Sequence, residues 1–136
     1  MTTGSCSCNH IRYTTTHPPT KLVNCHCTTC RKQSGAPYQT WAHFNVSQVT
    51  WLTSPPTTRS SSTIATRGFC PKCGSSLTMA YKSMPELIGI PAGTIDPGSD
   101  GEDIPRPDCH IFLSEKAGWF EVPGDGLERF EGHFMG

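Results

Sequence analysis

Short runs of alternating apolar and polar residues dominate this chain, and sustained helical spacing is scarce. Alternation with period two marks a strand with one buried face. In residues 38–44, Tyr38, Thr40, Ala42 and Phe44 fall on one face and Gln39, Trp41 and His43 on the other. Residues 46–52 alternate in the same way, with Val46, Gln48, Thr50 and Leu52 opposite Ser47, Val49 and Trp51. Further strands are expected at 11–13, 22–27, 63–69, 76–81, 87–90 and 109–113. Residues 28–34 fit one or two helical turns, closed by Gly35-Ala36-Pro37. Residues 53–62, rich in Ser, Thr and Pro, and residues 94–107, with Pro, Gly and Asp, read as loops. Trp119-Phe120 and residues 127–130 lie in a tail expected to pack back on the sheet, and Trp41, Trp51 and Trp119 are expected to fill the core. The pattern predicts one mainly β domain over residues 1–136, with short helical turns and no internal repeat.

Composition narrows this picture. Hydrophobic residues make up 35% of the 136, beside 13 Gly and 12 Pro, so a small core needs help from cross-links or metals. Eleven basic and 11 acidic residues cancel, and no basic block stands out, which argues against nucleic acid or an anionic membrane as partner. No run approaches the roughly 18 apolar residues of a membrane span. The first residues, Met1-Thr2-Thr3-Gly4-Ser5, lack the basic and apolar regions of a leader, so a soluble, cytoplasmic protein with reduced thiols is expected.

The cysteines carry the chemistry. Seven of the eight fall into three clusters: Cys6-Ser7-Cys8, Cys25-His26-Cys27-Thr28-Thr29-Cys30, and Cys70-Pro71-Lys72-Cys73-Gly74. An even count also suits a disulfide framework, but a Cys-x-Cys bridge closes a very tight ring, and reduced clustered thiols favour metal. Cys70-x-x-Cys73-Gly74 is a knuckle whose amides can point at the sulfurs, with glycine easing the turn; its Pro71 and Gly74 do not suit a thioredoxin-like strand–helix site. On an extended strand Cys6 and Cys8 face the same way. These two pairs make a closed four-thiolate zinc site that staples the N-terminal arm to the middle of the sheet. Cys25, Cys27 and Cys30 offer three thiolates, the pattern of sites that keep a position open for chemistry. Three occupants of the fourth position stand: water or an external thiol, Cys109, or a histidine among His26, His43 and His110.

Each histidine has two readings. His26 alternates with Cys25 and Cys27, so an extended segment turns it away from the metal. His43 and His110, on or beside strands, suit a general base near neutral pH, and equally an ordinary structural imidazole. His10, His17 and His133 read as loop residues. Cys109 alone also suits a small buried hydrophobe. Arg31 and Lys32, just after Cys30, suit either attraction of a carboxylate ligand or a solvated turn.

The runs Gly4-Ser5-Cys6-Ser7-Cys8, Cys25-His26-Cys27-Thr28-Thr29-Cys30-Arg31-Lys32-Gln33-Ser34-Gly35-Ala36-Pro37 and Arg67-Gly68-Phe69-Cys70-Pro71-Lys72-Cys73-Gly74 resemble the family of glutathione-dependent formaldehyde-activating enzymes and centromere protein V. Gly93-Thr94-Ile95-Asp96 and the run from His110 to Phe120 extend the resemblance over nearly the whole chain. It implies a zinc-bound β-tent fold, a structural zinc on Cys6, Cys8, Cys70 and Cys73, and a second zinc on Cys25, Cys27 and Cys30. It also implies a carbon–sulfur lyase type of activity in which glutathione adds to formaldehyde to give S-hydroxymethylglutathione. Asn9 stands where the family often has glycine, and asparagine tolerates the same left-handed turn. Cys109 before His110 is not a family hallmark.

Three functions follow as expectations. The first is a zinc enzyme joining glutathione or another thiol to an aldehyde, oriented by Arg31, Lys32 or the turn 33–36, or the reverse cleavage. The second keeps the zinc chemistry for a larger carbonyl or thiol-adduct metabolite, by elimination, hydration or isomerisation, with 53–62 and 94–107 shaping the pocket. The third is a non-catalytic zinc module that carries glutathione or binds a protein.

Overall fold

A computed structural model describes residues 1–98 and 104–134. Among the described residues, eleven strands and one short α-helix follow one another. The strands are β1 (Thr2–Ser5), β2 (Arg12–Thr15), β3 (Leu22–Cys25), β4 (Gln39–Asn45), β5 (Val49–Trp51), β6 (Thr57–Ser60), β7 (Ala65–Phe69), β8 (Ser76–Tyr81), β9 (Leu87–Pro91), β10 (Pro107–Ile111) and β11 (Glu128–Arg129). The helix is α1 (Thr28–Ser34). The fold is mainly β, as the alternation implies. A three-stranded sheet runs β1-β2-β5, and an eight-stranded sheet runs β11-β10-β3-β4-β9-β8-β7-β6. The pairings of β10 with β3 and β11 are parallel, and the others in this large sheet are antiparallel.

The period-two pattern sorts side chains onto the two faces of the large sheet. Trp41 joins Val23, Cys25, Cys30, Cys109 and Ile111 on one face. Ala42 and Phe44 join Leu22, Ile90 and Tyr13, the last from the small sheet, on the other. Trp41, Tyr13 and Phe44 are almost fully buried, each worth roughly 2 kcal/mol of transfer free energy. The small sheet packs closely on the turn after β9 at Gly4, where a Cβ would strike the Tyr13 hydroxyl of the neighbouring strand and the Thr94 carbonyl. That hydroxyl is hydrogen-bonded to Thr94 Oγ1 at 2.7 Å.

Several sequence expectations need correction. Residues 46–52 are not one strand: Val46–Gln48 form a 3-10 turn before β5. The turn lets the chain leave the large sheet at β4 and enter the small one. The loop expected at 53–62 contains β6, whose four residues are all exposed. Its backbone pairs with β7, but solvent on both faces leaves no hydrophobic alternation to read. The strand expected at 109–113 ends at Ile111, because Phe112 takes a left-handed φ of 57° and Leu113–Glu115 turn as a 3-10 helix. Trp119 does not fill the core, being 73% exposed on the tail. The tail does return to the sheet, through β11 beside β10. Part of the loop expected at 94–107 lies outside the described residues.

Candidate metal centres and the cavity beside them

Two knuckles bring the first cysteine group together. The Cys6 amide bonds the Ile11 carbonyl at 3.0 Å, and Asn9 at the turn takes a left-handed φ of 66°. The Cys70 amide bonds the Ser75 carbonyl at 3.0 Å, with Gly74 at φ 80°. Backbone amides aim at sulfur in both: Ile11 N–H at Cys6 Sγ, 3.3 Å, and Lys72 N–H at Cys70 Sγ, 3.4 Å. The Ser7 amide donates to Ser75 Oγ at 3.0 Å and ties one knuckle to the other. The four sulfurs of Cys6, Cys8, Cys70 and Cys73 lie within 4.8 Å of one another. Cys6 and Cys8 are 3.7 Å apart and Cys8 and Cys70 3.8 Å. Those separations are far too long for disulfides, which need about 2.05 Å. A tetrahedral zinc with bonds of about 2.3 Å sets its sulfurs about 3.8 Å apart, so the donor set fits that ion.

The second group forms within one short segment. Cys25 ends β3, paired with Ile111 of β10 and Gln39 of β4. Cys27 caps α1, its sulfur accepting from the Cys30 amide at 3.4 Å. Cys30 lies one turn on, fully buried. The helix starts because Cys27 and Glu115 satisfy its first amides, Glu115 Oε1 accepting from Thr28 N–H at 2.9 Å, and it stops where Gly35 turns left-handed at φ 69°. The sulfurs of Cys25, Cys27 and Cys30 lie within 4.8 Å of one another. Cys109 does not belong to this group; it packs among Val23, Trp41 and Ile111.

Cys30 is the electrostatic centre of the triplet. Its sulfur accepts from Trp41 Nε1–H at 3.4 Å and from Arg67 Nη1–H at 3.5 Å. Its pKa is drawn well down, first by the Cys25 and Cys27 thiols and then by Trp41 and Arg67, while the Cys27 and Cys30 sulfurs push Cys25 upward. Arg67 is 7% exposed, lies over the Trp41 ring at 5.7 Å and donates to Ser61 Oγ at 3.3 Å. Among the described residues no carboxylate pairs with it. A buried cation without an acid is costly unless other negative charge faces it, and the thiolates provide that charge.

A cavity of about 220 Å³ opens beside the triplet, lined also by Trp41, His43, Arg67, Met79, Tyr81 and His133. Burial and the nearby Lys21 charge hold His43 down at about 4 and lower His133, so both imidazoles are neutral at pH 7. Burial first, then the triplet's negative charge, raises Tyr81. Arg67 lines a second cavity too, of about 320 Å³, with Gln33, Arg59 and Ser76. Gln33 Nε2 donates to Gln39 Oε1 and Ser76 Oγ at 2.9 and 2.8 Å. Arg31 reaches back to the Glu115 carbonyl at 3.1 Å, and Lys32 is exposed.

His26 turns away from the triplet and is fully buried, and His110 is not among the cavity's lining residues. His26 Nε2 and His110 Nδ1 share a hydrogen bond of 2.8 Å, and His110 Nε2 donates to Asp125 Oδ2 at 2.8 Å. With the His110 Nε2 proton held by the Asp125 carboxylate, His110 Nδ1 accepts and His26 donates from Nε2. His26 Nδ1 is then a buried acceptor without a partner. Burial lowers His26 to about 4.

Arg67, Tyr81, His133, Arg59 and Asp125 escaped the sequence reading as site residues. Only Arg67 left a usable signal, a lone cation on the strand that runs into the Cys70 knuckle.

Comparison with known proteins decides the family. A family model described as glutathione-dependent formaldehyde-activating enzyme matches residues 1–115. The chain belongs to this family. A relative named as an uncharacterized lyase in Schizosaccharomyces pombe is 31% identical over 120 residues, covering 82% of this chain and 85% of that protein. A crystal structure of a Rhodobacter sphaeroides protein shares the fold with a TM-score of 0.58 at 20% identity, over 77% of this chain and 96% of that one. The family match ends at Glu115, so Asp125 and His133 reach their places from a tail beyond the matched segment.

Proposed function

We propose that this family member is a zinc-dependent carbon–sulfur lyase-type enzyme, which adds glutathione or another thiol to formaldehyde or a related carbonyl and catalyses the reverse cleavage. The observation that carries this reading is a three-sulfur group lining a cavity that also holds neutral imidazole and a buried guanidinium. Cys6, Cys8, Cys70 and Cys73 would hold a structural zinc, and Cys25, Cys27 and Cys30 a second. A zinc held by the triplet would supply Lewis-acid activation of a thiol.

The chain's own residues divide the remaining work. Arg67 and Trp41 hold Cys30 as the thiolate through two N–H donors. Neutral His43 takes the thiol proton on its free ring nitrogen and returns it to the carbonyl oxygen as the carbon–sulfur bond forms. Gln33, Arg59 and Arg67 line the neighbouring polar cavity and suit glutathione's carboxylates. His110 acts behind the triplet, positioning His26 between Cys25 and Cys27. Arg31 braces α1 rather than the thiol, and Lys32 stays at the surface.

The test combines native mass spectrometry with exchange NMR of ¹³C-formaldehyde and glutathione. Two zincs, accelerated S-hydroxymethylglutathione formation, and loss of that acceleration in a folded Cys27→Ala chain are expected. Two zincs with no acceleration for any thiol and carbonyl would leave the non-catalytic carrier reading.

A further inference from the structure

An apolar annex adjoins the triplet cavity on the side away from Arg59. It encloses about 70 Å³ and shares His43, Met79, Tyr81 and His133 with the triplet cavity. Its remaining wall includes Met84, Leu87, Ile88 and Phe134. The tail closes this wall: Phe134 seats its ring 6.0 Å from that of His43 and 4.0 Å beneath Lys21 Nζ, and His133 stacks on it at 4.4 Å. Both tail residues lie beyond the family-matched segment.

Three spaces thus stand in series: a polar cavity with two arginines, the thiolate cavity, and an apolar annex. Formaldehyde carries no substituent and would leave the annex empty. The annex has about half the volume of a 150 Å³ apolar cavity known to accept benzene, which suits a short alkyl chain. We infer that the carbonyl substrate carries a short alkyl substituent, which lies in the annex between Met84, Leu87 and Phe134 while the thiol partner occupies the arginine side. This rests on the carbon–sulfur reading above and names its carbonyl substrate. In the step, the S–H bond breaks and a C–S bond forms. The carbonyl π pair takes the released proton as C–O–H, and no further reactant is needed.

The test has two arms, both on the zinc-loaded full chain. In the first, kcat/KM for butanal relative to formaldehyde, with glutathione, is measured in wild type, Met84→Trp and Phe134→Ala. Filling the annex in Met84→Trp lowers the ratio at least about tenfold, given the gain per buried methylene, and removing the Phe134 wall lowers it too. In the second, ¹³C-methyl signals of Met79 and Met84 are followed on adding n-butanol, which cannot react, with methanol as control and Met1 as internal reference. A saturable shift with butanol alone is expected. An unchanged ratio in both variants, or unmoved Met79 and Met84 signals, would overturn the inference and leave the carbon–sulfur reading standing. Butanol shifts without adduct formation from either aldehyde would sink the carbon–sulfur reading and keep the annex as an alkyl site.

Discussion

At the residue scale, the contact of Arg67 with Cys30 says most about the chemistry. A guanidinium only 7% exposed, with sulfur at 3.5 Å, is stable where the thiolate stays charged. The same cation would offset the excess negative charge that three thiolates place around a bound divalent ion. Met in its place would fill space without the charge or the donor. Arg67→Met should lower zinc affinity at the triplet about 10–100-fold and leave the four-cysteine group unaffected. Chelator competition with site-resolved stoichiometry measures this, and equal loss at both groups would refute the assignment.

At the element scale, the tail from Lys116 onward is tied to the sheet by backbone bonds between residues 110–114 and Phe130, Glu131 and Gly132, and by the side chain of Asp125. Its Oδ2 accepts from His110 at 2.8 Å and its Oδ1 from the Leu127 amide at 3.0 Å. The His110 bond first, then the amide, holds its carboxyl below the ordinary range. A depressed carboxyl contributes stability that is fully present above its unfolded pKa of about 4 and is lost as pH falls through the folded value. At pH 7 the anchor is therefore complete, and Asp125→Asn reproduces its loss without acid. The amide of Phe130, which bonds the His110 carbonyl at 2.9 Å, should exchange faster in that variant, while the β4 amides do not change. Unchanged Phe130 exchange would show that β11 and the backbone bonds to residues 130–132 hold the tail without Asp125.

At the scale of the whole molecule, the two cysteine groups differ in what they join. Cys6 and Cys8 follow β1 of the small sheet, whereas Cys70 and Cys73 lie between β7 and β8 of the large one. Around them Ile11, Leu77 and Trp51 form a separate apolar cluster. A metal bound there would link segments about sixty residues apart, and its binding energy would be folding energy. Cys25, Cys27 and Cys30 lie in one segment that β-pairing and α1 already order. Cys8→Ser should lower Tm by on the order of 10 °C, and Cys27→Ser by much less. Thermal unfolding of zinc-loaded proteins would show this, and equal losses would contradict the division.

Local pattern was enough to read the strands β3, β4, β7, β8 and β9, the single helix and both cysteine groups. Alternation reports which face is buried, and ligand spacing reports knuckle geometry. The left-handed turn at Asn9 was legible through the family resemblance, where glycine often stands and asparagine tolerates the same φ. Strand β6 and the switch of sheets at Val46 were not legible, because solvent and a change of direction erase the alternation. The cavity depended wholly on tertiary structure. Arg67, Tyr81 and His133 come from two strands and a distant tail, and no spacing in sequence announces that they meet Cys30. The amino-acid order by itself determined which atoms can bind metal. Long-range pairing decided what faces them, because a side chain's neighbours across a sheet are set by register and by where the chain returns.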